Sequence, residues 1–141
     1  MLTAEYFNRH IKDHLPDHLG IVVTHVAPSE LRCHFRIAQA IMAPNGFLHA
    51  GSVVTLADTA AGLGCHAHLP EGATGFTTIE LKSNFMGTAR EGLVTCVATP
   101  AHLGKSTQVW DSIVTHDDTG KTIALFRCTQ MILYANARGS G

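Results

Sequence analysis

Charge is what this sequence has least of. Only 15% of its 141 residues are Asp, Glu, Lys or Arg, and ten basic against eleven acidic residues leave a formal net charge of -1. A nucleic-acid face needs a basic excess that this balance does not supply, although one local cation for a phosphate is still allowed. Long apolar runs are missing too, since no stretch approaches the roughly 18 residues of a membrane span. The amino-terminal segment MLTAEYFNRHIKDHLPDHL lacks the basic start and unbroken apolar core of an export signal. Neither nucleic acid nor membrane is an expected partner, and the expected location is cytoplasmic. Close-set cysteines are the third absence. Cys33, Cys65, Cys96 and Cys128 are spread through the chain, without the short spacings of a zinc knuckle or a redox pair. They read as reduced, buried thiols. His10 with His14, and Cys65 with His66 and His68, are the compact histidine groups, but neither lies beside a second ligand group, so no metal and no cofactor are expected.

What is present is apolar content. At 45% of the chain it is enough for a real core, and the length fits one domain spanning 1–141. So little charge also leaves apolar surface to be hidden, which predicts self-association.

Leu2 to Leu15 reads as an amphipathic helix, with Tyr6, Phe7, Ile11 and Leu15 at helical spacing, Thr3 as its cap and Pro16 ending it. Ile21 to Val26 and Leu31 to Ile37 read as a hairpin closed by Ala27-Pro28-Ser29-Glu30. After an irregular stretch with a turn at Pro44-Asn45-Gly46, the segment HAGSVVTLADTAAGLGCHAHL is the strongest helix. It is apolar almost all round, which predicts burial by a sheet or a partner subunit. Gly75 to Met86, Leu93 to Thr99, Ser106 to Thr115 and Thr122 to Tyr134 are extended segments with short breaks. Such breaks favour an antiparallel meander over β-α-β crossovers. The expected fold is α+β, one long helix held against a curved antiparallel sheet of five or six strands.

Asp58 lies in the middle of that apolar helix, where a carboxylate is costly unless paired, hydrogen-bonded or used. At the helix entrance, Asn45-Gly46-Phe47-Leu48-His49-Ala50-Gly51-Ser52 offers first-turn N–H groups without helical partners, suited to a polarised carbonyl or an oxyanion. An ordinary cap by Ser52 or His49 is the alternative. Gly51 stands seven residues before Asp58, about 10 Å of helix, so one carbonyl cannot touch both groups of a single helix. Two helices running antiparallel across a two-fold axis bring them together.

The segments Leu48-His49-Ala50-Gly51 and Leu56-Ala57-Asp58-Thr59-Ala60 resemble the signature of the hotdog-fold thioesterases, most closely the phenylacetic-acid-pathway (PaaI-like) and hydroxybenzoyl-CoA thioesterase type. The resemblance covers roughly residues 5 to 135. It implies an acyl-CoA thioesterase that acts on an aryl or medium-chain acyl-CoA and works as a homodimer, or as a homotetramer made of two dimers. In it, Asp58 matches the acidic nucleophile or general base, Ala50 the position whose N–H polarises the thioester carbonyl, Gly51 the glycine beside it, and His49 the motif histidine. The pattern's Gln or Asn six positions before the histidine corresponds to Ala43, leaving Asn45 as its substitute. A Thr one turn after the acid corresponds to Gly62, leaving Thr59 or Thr55 to hold a water. Phe47 and Phe85 are the expected pocket walls, and Lys105 with Ser106 the expected contacts to coenzyme A, with Lys82, Arg90 and Arg127 as further phosphate candidates. Trp110 and Cys65 read as packing. The rivals are a hotdog dehydratase or hydratase acting on 3-hydroxyacyl or enoyl thioesters, with His49 moving the proton, and a non-catalytic acyl-CoA-binding module.

Overall fold

The computed structural model describes residues 2–135, so both extreme ends of the expected 1–141 domain lie outside the described residues. Two short helices, α1 (Ala4–His10) and α2 (Leu15–His18), lead into the hairpin β1 (Val22–Ala27) and β2 (Glu30–Arg36). A single 3-10 turn, Gln39–Ile41, precedes the long helix α3 (Ala50–Ala67). Four strands follow: β3 (Ala73–Phe85), β4 (Leu93–Leu103), β5 (Thr107–His116) and β6 (Thr122–Tyr134). All six strands form one antiparallel sheet in the order β1-β2-β4-β5-β6-β3. The fold is therefore α+β, with α3 laid across the inner face of the sheet.

Thr3 caps α1 as its sequence predicts, its hydroxyl accepting from the Tyr6 N–H at 3.0 Å. The helix stops earlier than expected. It ends at His10, the chain reverses through Asp13 at φ 65°, and Pro16 occupies the first turn of a second helix. Proline is well placed there, because a first-turn N–H has no helical acceptor to lose. The meander also needs correction, since only β4, β5 and β6 follow one another in the sheet. β3 pairs with β6 at the far edge, and the place beside β4 belongs to β2. Short loops predict neighbours only where nothing already occupies the adjacent ladder, and here β2 does. β4 continues through Pro100 to Leu103, beyond the last residue that pairs with β2. The missing proline N–H therefore costs no bond on that side.

The core forms where α3 meets the sheet. Leu56, Ala57, Ala60 and Ala61 are fully buried against Leu31, Phe35, Val94, Val114 and Trp110. Two sheet side chains also bond carbonyls of the helix: Ser112 donates to Ala57 at 2.9 Å, and Cys33 to Leu56 at 3.8 Å. At the far end His68 caps α3, its Nδ1–H donating to the Gly64 carbonyl at 2.7 Å while its Nε2 accepts the Ser29 N–H at 2.8 Å. One imidazole thus ties the β1-β2 turn to the helix terminus.

Trp110 packs closely against the helix at Gly64, and its indole N–H donates to Gln108 at 2.8 Å. A Cβ on Gly64 would come within 2.7 Å of the ring. The indole is fully buried and hydrogen-bonded, so it has no room to retreat. Gly64→Val is expected to lower stability by about 2–3 kcal/mol, read as a lower urea midpoint with an unchanged slope.

Apolar surface remains uncovered. On the sheet face turned away from α3, Ile113, Leu125, Met131 and Leu133 are exposed. The edge strand β3 carries a further exposed set in Ile79, Leu81 and Phe85. A register shift between Thr78 and Glu80 changes which residues of β3 face inward, from Phe76 and Thr78 before it to Leu81, Ser83 and Phe85 after it.

Candidate active site

Asp58 projects from the middle of α3 on its least covered side, which Val54, Thr55 and Thr59 share. It is partly buried, and its Oδ1 has no hydrogen-bond partner among the described residues. Burial raises its carboxyl above the ordinary carboxylate value. The adjacent Thr78 hydroxyl works in the opposite sense. That hydroxyl, however, gives its one proton to Gln130 Oε1 at 2.8 Å, so burial is the stronger influence. Gln130 is fully buried and donates its amide to Cys128 Sγ at 3.3 Å. A carboxyl raised in this way, without a cationic partner, is a stronger base than a free carboxylate, which suits proton transfer.

A cavity of about 260 Å³ opens on Asp58. Thr59, Gly62 and Leu63 of α3 line it, with Phe76 and Thr78 of β3 and His10, Ile11, His14 and Pro16 of the leading segment. Sequence reasoning named Asp58 and Thr59 but missed Phe76 and Thr78, which nothing local ties to the helix. It considered His10 and His14 only as a metal pair and set them aside for want of a second ligand group.

The helix entrance is built by His49. Its imidazole Nδ1 accepts the Gly51 N–H at 2.7 Å, making it the cap of α3, while the Ser52 hydroxyl donates to the Ile41 carbonyl at 2.8 Å. Gly51 suits this cap, because a Cβ there would press on the imidazole at 3.0 Å. Ser52 and Val53 both donate to the His49 carbonyl. The Ala50 N–H therefore stands alone, with no acceptor among the described residues. It sits on the positive end of the helix.

Ala50 lines a second cavity of about 380 Å³ with Phe47, Leu48, Val53, Phe85, Gly87 and Thr88. The expected walls Phe47 and Phe85 thus meet at the helix entrance. This cavity shares no residue with the one above Asp58, and Ala50 and Asp58 are eight residues apart, about 12 Å of helix. Asn45 is exposed in the entrance turn, its Oδ1 accepting the Phe47 N–H at 3.1 Å. Thr55 donates to the Gly51 carbonyl at 2.8 Å, whereas Thr59 has no such bond among the described residues.

Lys105 and Ser106 line a third cavity, of about 410 Å³, with Pro70, Glu71 and Tyr134. None of its residues lines either of the first two. Among the other cations, Arg127 is held by Asp111 through two bonds of 2.6 and 2.8 Å. Arg90 lies over the Phe47 ring at 5.6 Å and borders the loop of Met42, Ala43 and Gly46. Cys65 is fully buried, with its thiol pushed up to about 12 by burial, and Trp110 is core. Neither offers a nucleophile.

The site is thus a buried helix that carries a lone carboxylate, is wrapped by an antiparallel sheet and opens with a free N–H at its start. The chain belongs to the thioesterase superfamily, whose family model matches residues 45–123. It is 33% identical over 115 residues to a 1,4-dihydroxy-2-naphthoyl-CoA hydrolase of Listeria monocytogenes, covering 82% of this chain and 92% of the relative. Among solved structures, a thioesterase from Haemophilus influenzae superposes with a TM-score of 0.89 at 28% identity, covering 95% of this chain and 92% of that one. The PaaI protein of the Escherichia coli phenylacetic acid degradation operon shares the fold, with a TM-score of 0.80 at 23% identity over 90% and 89% of the two chains.

Proposed function

We infer that this thioester hydrolase cleaves aryl or medium-length acyl-CoA thioesters in the cytoplasm, in active sites each made by two subunits of a homodimer. The carrying observation is that Asp58 and the free Ala50 N–H open on separate cavities about 12 Å apart along one helix. In the dimer, α3 of one subunit runs antiparallel to α3 of the other, so the Ala50 N–H of one faces Asp58 of its neighbour. The N–H polarises the thioester carbonyl, and the carboxylate attacks the carbonyl carbon or takes the proton of an attacking water. The thiolate of coenzyme A then leaves as the carbonyl re-forms; where the carboxylate itself attacks, water next cleaves the mixed anhydride and restores Asp58, and no serine or cysteine nucleophile is needed.

Two features support this assembly. β3 ends the sheet with one side unpaired, and a long apolar edge strand is a ready template for a second copy. The exposed Ile113, Leu125, Met131 and Leu133 would serve a second interface in a tetramer. His49, Gly51 and Asn45 shape the entrance, Phe47, Phe85 and Thr59 line the substrate path, and Lys105 with Ser106 is the outlying candidate for the coenzyme. Arg90 is better placed for a phosphate at the entrance.

Complementation tests the shared site. Asp58→Asn and Ala50→Pro subunits, mixed in equal amounts and reassociated, form half heterodimers. Each heterodimer has one intact site, so thiol release should recover to about a quarter of the wild-type value. No recovery despite proven subunit exchange would mean that both groups act within one subunit.

A further inference from the structure

Beside Asp58 runs a chain of hydrogen bonds that the proposed reaction does not use. Thr78 of β3 and Gln130 of β6 are direct register partners, so their side chains leave the sheet on one face, next to each other. The Thr78 hydroxyl donates to Gln130 Oε1 at 2.8 Å. The other end of the same amide, Nε2, donates to Cys128 Sγ at 3.3 Å, two residues away on the same face of β6. Gln130 is fully buried. With its oxygen turned to Thr78 and its nitrogen to Cys128, the amide has a partner at both ends in a place water does not reach.

A hydroxyl beside a carboxylate ordinarily donates to it and favours the anion. Thr78 shares the cavity with Asp58, but it has one proton to give, and Gln130 takes it. Toward Asp58 it presents lone pairs, and Asp58 Oδ1 is left without a partner among the described residues. Turning the proton to Asp58 would strip the buried Gln130 Oε1 of its donor, which is costly. The arrangement thus disfavours the bare anion and favours the protonated carboxyl, whose hydrogen Thr78 can accept. The other titratable groups facing Asp58 are His10 and His14 of the leading segment and the Cys128 thiol of β6. β3 and the rest of α3 add none to the cavity. We propose that Gln130 is a positioning residue that holds the Thr78 hydroxyl turned away from Asp58, keeping the catalytic carboxylate free of a donor and therefore reactive. The proposal rests on the reading of Asp58 as the catalytic carboxylate, and it adds the two residues that set its reactivity.

The test is the titration of Asp58, followed by carboxyl-carbon NMR on labelled aspartate with Asp58→Asn to assign the signal. The acid limb of kcat/KM is followed in parallel with benzoyl-CoA and hexanoyl-CoA. Gln130→Met keeps the bulk and removes the acceptor, which releases the Thr78 hydroxyl to donate to Asp58. A donor favours the anion, and a group that works as the anion then works at lower pH. The NMR titration and the acid limb should both move toward acid by about one pH unit. The rate above the limb should fall by less than about tenfold, the most that such a loss of basicity costs. In a Thr78→Val background the same Gln130 substitution should move neither, whereas a mere disturbance of packing would act with or without Thr78. Should Gln130→Met fold poorly, Thr78→Val alone repeats the test: the Asp58 titration should stay or fall. A rise would mean that Thr78 donates to Asp58 in the wild type, and it overturns the proposal. So does a titration unmoved by Gln130→Met, as when the amide lies the other way round, or one moved equally in the Thr78→Val background. A titration that moves as expected in a protein that releases no thiol from either thioester, or whose acid limb survives in Asp58→Asn, leaves the hydrogen-bond chain standing and removes the reading beneath it.

Discussion

Asp58→Asn should lower thiol release by at least a hundredfold while the protein stays folded and associated, and should also raise its unfolding temperature. The amide keeps the shape of the carboxylate but is neither a base nor a nucleophile. A hundredfold corresponds to about 2.7 kcal/mol of lost transition-state stabilisation. The stability effect follows from burial. Because the Asp58 carboxyl is raised, the folded protein holds this proton more tightly than the unfolded chain, whose Asp value is about 3.9. As pH rises from there through the raised folded value, the fold loses stability, and above that window the full penalty applies. An uncharged amide carries no such penalty. The variant should therefore melt above the wild type at pH 7, and the gap should close as the pH falls below about 4. A melting advantage that persists undiminished in acid would place its cause elsewhere. Activity within a few fold of wild type would remove Asp58 from the reaction.

Ala50→Pro is the complementary change and isolates one hydrogen atom. Proline is favoured in the first helical position, where its missing N–H has no helical acceptor to lose. The residue before a proline must be extended, and His49 already is, at φ -62° and ψ 132°. The substitution therefore removes the free N–H with little change to the fold. Losing one donor to a developing oxyanion typically costs about 10²–10³ in kcat. That loss is expected here with the urea midpoint unchanged. Ala50→Gly, which keeps the N–H, should stay near wild type. Full activity in the proline variant would assign the carbonyl's polarisation to another donor.

The sequence carried most of the fold because its signals were local. Thr, Val and Ile mark the strands, Pro28 with Ser29 marks the hairpin, and an apolar run on both sides of Asp58, with Ala57, Ala60 and Ala61 and almost no charge, marks the buried helix. What it did not carry was distance. Nothing in the loop between β3 and β4 says that β2 will take the place beside β4 and send β3 to the edge of the sheet. Asp58 was legible as a carboxylate in an apolar helix, but Phe76 and Thr78 reach it only after β3 pairs with β6. His10 and His14 were visible as a pair four residues apart, with no sequence signal for what they would face. His68 showed as a helix-end histidine, and its bond to the Ser29 turn emerges only in three dimensions.

The cap made by His49 also decides between two chemistries. A backbone N–H can only donate, so the 2.7 Å contact from Gly51 spends the Nδ1 lone pair and fixes the tautomer. The ring hydrogen is on Nε2, and neither ring nitrogen keeps a free lone pair. Such an imidazole has nowhere to put a proton drawn from the carbon next to a thioester, which is the step a dehydratase or hydratase would ask of it. Capping its own helix leaves His49 a donor, and the entrance loop can steady negative charge but cannot act as a base.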